Sequence, residues 1–79
     1  MEYEVQFYGM IAERIGISKA SIVIDFNGED INVRNLIISR YPELKSMTFQ
    51  IAINNELKEI LSSVNIGQTI AILPPFAGG

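Results

Sequence analysis

Two glycines and a carboxylate, Gly78-Gly79, close the sequence directly after Pro74-Pro75-Phe76-Ala77, and here residue type and spacing point to chemistry. Each proline fixes φ at about −65° and lacks an N–H, so the segment reads as an extended arm leaving a strand rather than as a strand interior. Glycine has no Cβ. A Gly-Gly end therefore has the smallest cross-section a peptide can offer, narrow enough for a cleft in another protein to close around it and hold the carboxylate. The plainer explanation is a frayed terminus. With glycine at about 7% of residues, a chain ends Gly-Gly by chance about 0.5% of the time, which favours the reactive-end reading before the prolines are counted.

The rest of the composition leaves few rival chemistries. The chain has no cysteine and no histidine. That excludes thiolate nucleophiles, disulfides, the usual Cys/His zinc sites and imidazole acid–base catalysis, and no metal site is expected. No close pair of acids on one face suggests a general acid–base dyad. A net charge of −3 opposes nucleic acid as the partner, because phosphate binding demands a basic face. A basic protein partner suits it better, although a solvated acidic surface is the commoner reason for such a charge. The apolar runs are strand-length, well short of the roughly 20 residues a bilayer requires, and nothing resembles a signal peptide. A cytoplasmic protein is expected.

The arm needs a body to carry it, and 79 residues at 48% hydrophobic content make one small domain. Residues 3–8 alternate, with Tyr3, Val5 and Phe7 on one face and Glu4, Gln6 and Tyr8 on the other, which predicts a strand. Gly9 interrupts it. Ile11 and Ile15 are four apart and Gly16 follows, predicting a short helix. Residues 21–26 place Ile22, Ile24 and Phe26 on one face before an Asn27-Gly28 turn, a second strand. Asn32 is a suitable N-cap for a helix carrying Val33, Leu36, Ile37 and Tyr41, stopped by Pro42. Phe49, Ile51 and Ile53 alternate before Asn54-Asn55, a pair that tolerates positive φ, predicting a third strand and a tight turn. Residues 56–64 fit either a short helix or an irregular strand. After an Asn65-Ile66-Gly67-Gln68 turn, residues 69–73 form the strand that feeds the arm.

This order predicts an α+β domain of the β-grasp type, a mixed sheet of four to five strands packed on one main helix. The domain spans residues 1–73 and the tail residues 74–79. In such a fold the first and last strands are parallel neighbours. Tyr8 and Leu73 then meet on the outer face beside the base of the arm, with Leu57 after the Asn-Asn turn as a third member. Single exposed apolar residues are normal. Three of them converging on a projecting tail read as a docking surface.

Along nearly its whole length the sequence resembles the ubiquitin-like sulfur carriers of the MoaD/ThiS family, most of all the small subunits of molybdopterin synthase. The resemblance lies in Val5-Gln6-Phe7-Tyr8-Gly9 leading to Glu13 and Gly16, and in Ile51-Ala52-Ile53-Asn54 before a turn. Its specific part is the run from Gly67 through Thr69 to Pro74-Pro75-Phe76-Ala77-Gly78-Gly79. It implies that an adenylating partner of the ubiquitin-activating type couples the Gly79 carboxylate to AMP from ATP. Sulfur from a donor then displaces AMP, leaving a thiocarboxylate. It also implies that this tail enters the active site of a large subunit, in a heterotetramer, and gives its sulfur to the pterin precursor in molybdenum cofactor biosynthesis. The catalytic side chains would be the partner's, and no cofactor would be bound by this chain. Pro74 and Pro75 would stiffen the tail, lowering the entropy lost on threading; Phe76 would anchor it. Ala77 would bind with the rest of the tail, and Gly78 would let a narrow groove close around it. Three positions depart from the family: Gln68 where an acid is frequent, Ala12 where an arginine is, and Phe76 where a smaller aliphatic is. Gln68 is expected to keep the turn, Ala12 to lose a surface contact, and Phe76 to require a roomier groove.

Two alternatives keep the same tail. One is a sulfur carrier of another pathway, such as thiamine thiazole synthesis, whose carriers tend to be shorter and to lack the Pro-Pro arm. The other is a ubiquitin-like modifier joined through Gly79 to lysines of target proteins. A plain interaction module docking through its sheet is the third reading, and it needs no Gly79.

Overall fold

The structure is a computed structural model, and residues 1–62 and 69–75 are described. The first strand, β1 (Glu2–Phe7), buries Tyr3, Val5 and Phe7 and exposes Glu2 and Glu4, as its alternation requires. Helix α1 (Gly9–Ile15) follows at once, and Gly16 stops it in the left-handed region at φ 88°, its N–H bonded to the Ala12 carbonyl.

Strand β2 (Lys19–Val23) pairs antiparallel with β1, Val5 opposite Ala20 and Tyr3 opposite Ile22. The strand was expected over residues 21–26; it starts two residues earlier and ends three earlier. The ladder with β1 closes with the two bonds that Met1 and Ile24 exchange, through the Met1 carbonyl and the terminal ammonium. Beyond them Phe26 leaves the ladder, though it still packs edge-on to Tyr3 at 6.5 Å.

Asn32 caps helix α2 (Val33–Arg40), its side-chain oxygen accepting the Asn35 N–H at 3.0 Å. The helix ends one residue before Tyr41, which leaves the helical region (φ −129°, ψ 77°) because it precedes a proline. Pro42 then opens a 3₁₀ turn, Pro42–Ser46, that the sequence reading did not anticipate; it buries Leu44. Two short strands flank these segments. Ile31–Asn32 (β3) and Ile60–Leu61 (β6) form a two-stranded sheet of their own.

Strand β4 (Gln50–Ile53) turns through Asn54 and Asn55, at φ 51° and 68°, into β5 (Glu56–Leu57). The ambiguous stretch is thus two two-residue strands; Ser63 and Val64 lie outside the described residues. Strand β7 (Thr69–Leu73) completes the main sheet in the order β2-β1-β7-β4-β5, with β1 and β7 parallel and the other pairs antiparallel. This is the expected β-grasp arrangement. The inner face presents Tyr3, Val5, Phe7, Ile22, Ile51, Ile53, Ile70 and Ile72 to Val33 and Ile37 of α2, with Leu44 and Leu61 at the margins, all essentially inaccessible. Each such side chain contributes about 1.5–3 kcal/mol on burial. Phe7 meets Tyr41 edge-on at 5.1 Å.

Candidate functional site

Pro74 directly follows β7, the central strand of the main sheet. β7 is held on both sides, Phe7 opposite Ile72 on β1 and Gln50 opposite Leu73 on β4. Past the last β1 pair, the Tyr8 N–H still donates to the Ile72 carbonyl at 3.1 Å. Tyr8 itself is extended (φ −120°, ψ 151°) and serves as the N-cap position of α1, so the predicted strand residue is also the hinge into a helix. Gly9 turns the chain away at φ 54°, and a Cβ placed there would sit 3.0 Å from Cγ of Pro74.

The three predicted docking residues all lie on the outer face. Tyr8 is 44% exposed and Leu57 66%, and Leu73 is half-buried. Register sets their spacing. Lys19, Gln6, Ala71, Ala52 and Leu57 form one row across all five strands, and Tyr8 and Leu73 belong to the next row, towards the arm. Leu57 is therefore separated from the Tyr8–Leu73 pair by β4, whose outer-face residues there are Ala52 and Gln50, and the patch is a shallow diagonal rather than a cluster. The small side chain of Ala52 lies sunk in that face, 7% exposed. A polar ladder borders it: the Tyr8 hydroxyl donates to Gln6 Oε1 at 2.5 Å, and Gln6 Nε2 donates to Glu4 Oε2 at 2.6 Å. The ladder ties the Tyr8 ring back along β1.

A strap that the sequence reading missed holds the far side. Arg34 donates from Nε and Nη2 to both carboxylate oxygens of Glu59, at 2.9 and 2.8 Å, and from Nη2 to the Phe49 carbonyl at 2.8 Å. Its guanidinium stands 4.4 Å over the Phe49 ring. The guanidinium bonds hold the Glu59 carboxyl below its ordinary pKa, against a smaller opposing effect of burial. The strap fixes the segment after Leu57, and with Gln50, Ile51, Leu57 and Lys58 the pair lines an open depression of about 220 Å³ beside the patch. An arginine after an N-cap and a glutamate 25 residues later carry no local signal, so only the fold brings them together.

Phe76, Ala77, Gly78 and Gly79, like Gln68, lie outside the described residues. Ala12, expected on the surface, is half-buried against the core. Among the described residues no group of three or more Asp and Glu side chains is placed to hold a metal ion. No helix among them is long and apolar enough to cross a membrane.

No family model matches the sequence. Solved structures do. SAMP1 from Haloferax volcanii superposes with a TM-score of 0.72 at 20% identity, each chain covered completely. A Pyrococcus furiosus protein assigned as molybdopterin converting factor subunit 1 gives 0.72 at 20% identity, over 96% of this chain and 99% of that one. The small archaeal modifier protein 1 of H. volcanii gives 0.70 at 18% identity, over 95% and 98%. By fold the chain is ubiquitin-like. The ubiquitin-like domain thus stands as near to modifiers as to a molybdopterin factor, which agrees with the resemblance in its sequence. What the domain offers chemically is placement: a central strand clamped on both sides, and an outer face on which Tyr8 and Leu73 flank the point where Pro74 leaves that strand.

Proposed function

We propose that the chain is a sulfur carrier whose Gly79 carboxylate is the working group, acting as the small subunit of a molybdopterin synthase. The observation that carries this reading is the origin of the arm at Pro74, at the end of the central strand β7 and beside Tyr8 and Leu73. A group that must be threaded into another protein's cleft gains from a rigid base. A carboxylate is a poor electrophile, so an adenylating partner joins Gly79 to AMP and releases pyrophosphate from ATP. A sulfur nucleophile then displaces AMP, and the thiocarboxylate carries the sulfur to a large subunit that acts on the pterin precursor. Tyr8, Leu57 and Leu73 dock the partner, while Pro74, Pro75, Phe76, Ala77 and Gly78 fill its groove.

The test is intact-mass measurement after incubation with ATP, an adenylating partner and a sulfur donor. The expected result is exchange of one oxygen for one sulfur, mapped to Gly79 by fragmentation. A cognate partner active on ATP that leaves the mass unchanged sinks the reading.

The comparable likeness to two structures of a Haloferax volcanii modifier favours one alternative, conjugation through Gly79 to lysines of other proteins. A denaturing blot of cells making a tagged chain separates the two. A ladder of covalent adducts supports the modifier, and its absence, with sulfur found on Gly79, supports the carrier.

A further inference from the structure

Gly9 and Pro74 meet although they lie at opposite ends of the sequence, and two features of Gly9 are independent of each other. The first is its φ of 54°, which the chain needs to leave β1 and enter α1 directly after Tyr8. The second is space. A Cβ built on Gly9 would lie 3.0 Å from Cγ and 4.0 Å from Cδ of Pro74, whereas at Gly16, with φ 88°, the same atom would meet nothing within 4 Å. A turn alone therefore explains Gly16 but not Gly9.

We propose that Gly9 is a positioning residue for the arm: its bare Cα is the seat of the Pro74 ring and sets the direction in which the chain continues past the sheet. This deepens the carrier reading and rests on it. Leu73 is the last residue of β7, and Pro74 has no N–H with which to extend the ladder. On the β1 side, the last backbone hydrogen bond is the one from the Tyr8 N–H to the Ile72 carbonyl. At Pro74 itself the ring packs against the bare Cα of Gly9. A side chain at residue 9 forces the ring to give by a few tenths of an ångström or pivot about Leu73, and either shift re-aims the chain at the point where it leaves the sheet. Misplacement of a reacting group by about 1 Å costs about 10²-fold in rate.

The test is a cycle of G9A, P74A and the double variant in the full chain, with two readouts. One is residual dipolar couplings of the Ala77 and Gly78 amides, together with the NOE between Gly9 Hα and Pro74 Hγ, on the free protein. The other is kcat/KM for pyrophosphate exchange by an E1-type adenylating enzyme, well below the unfolding temperature. With Pro74 in place, G9A is expected to shift the couplings and lower kcat/KM by tenfold or more. In the P74A background, where no ring is left to push, G9A is expected to change either by less than about threefold. The backbone strain that G9A introduces is the same in both backgrounds, so a merely structural role would lower both equally, and that result overturns the seat. Couplings unchanged in G9A, or no Gly9–Pro74 NOE in the unmodified chain, overturn it as well. Should G9A not fold, P74A alone decides, since it keeps Gly9 and adds no strain: couplings identical to the unmodified chain reject the seat. A chain that no adenylating enzyme activates defeats the carrier reading, and the couplings then decide the seat by themselves.

Discussion

Gly16 shows what a single residue contributes when conformation is its only duty. It ends α1 at φ 88° in open space, so an alanine there meets no neighbour and pays only the left-handed backbone cost, about 1 kcal/mol. In a domain of this size that lowers Tm by roughly 4–8 °C, and Gly16→Asn, which tolerates the same region, by less. Thermal unfolding followed by circular dichroism checks both; an unchanged Tm for G16A would mean that α1 does not end in this cap. Such residues were legible in the sequence because their reasons are local. Gly16, Asn54 with Asn55, and Asn32 each match a turn or cap that a few neighbours define, and each occupies it. Gly9 was legible only as a break. Its contact with Pro74 lies past the end of the β1–β7 ladder, where neither residue pairs, so strand order alone does not reveal it.

At the scale of elements, alternation located the long strands while pairing decided their ends, as β2 illustrates by spanning the residues that face Glu2 to Gln6 rather than its own alternating run. The two-residue strands β3, β5 and β6 were not legible, because elements so short carry no period. The Arg34–Glu59 strap, which joins α2 to the segment between β5 and β6, belongs to this scale and predicts a pH dependence. The Glu59 pKa is lowered in the fold, so its contribution is complete above its unfolded value, near 4.3, and is lost as pH falls through the lower folded value. With side chains 31% and 44% exposed, the pair is worth under about 1 kcal/mol. The stability of E59Q relative to the unmodified chain, measured by urea denaturation from pH 7 down to pH 3, should show a deficit that shrinks below about pH 4. R34A should cost more, about 1–2 kcal/mol at pH 7, since it also surrenders the Phe49 carbonyl and the face of its ring. A deficit for E59Q that does not change with pH would remove the ion pair from this account.

For the whole molecule, the sheet order decides what each surface can do. The parallel neighbours β1 and β7 were legible, since the strand sequence implies a β-grasp sheet, and with them the meeting of Tyr8 and Leu73. The assignment of β2 and β5 to the two edges was not, because it depends on pairings between distant segments. That assignment gives the docking proposal a control inside the same face. Val23 and Leu57 are both outer-face residues of edge strands, 69% and 66% exposed, yet Leu57 lies on the β5 side near the arm's neighbour β4 and Val23 on the β2 side, opposite Glu2. Exposure being equal, only location separates them. Replacement of Tyr8 or Leu57 by aspartate puts a charge where docking would desolvate it, and should weaken assembly with a large-subunit or adenylating partner by about 10- to 100-fold. Val23→Asp, equally polar and equally exposed, should leave affinity within about twofold. Leu73→Asp belongs to the same series, but Leu73 is half-buried in the central strand, so its affinity is compared only after its Tm is known. Titration calorimetry of the four variants against one partner reads the result. Equal losses at Val23 and Leu57 would mean that net charge rather than the patch governs binding, which in a chain already at −3 is the competing electrostatic explanation.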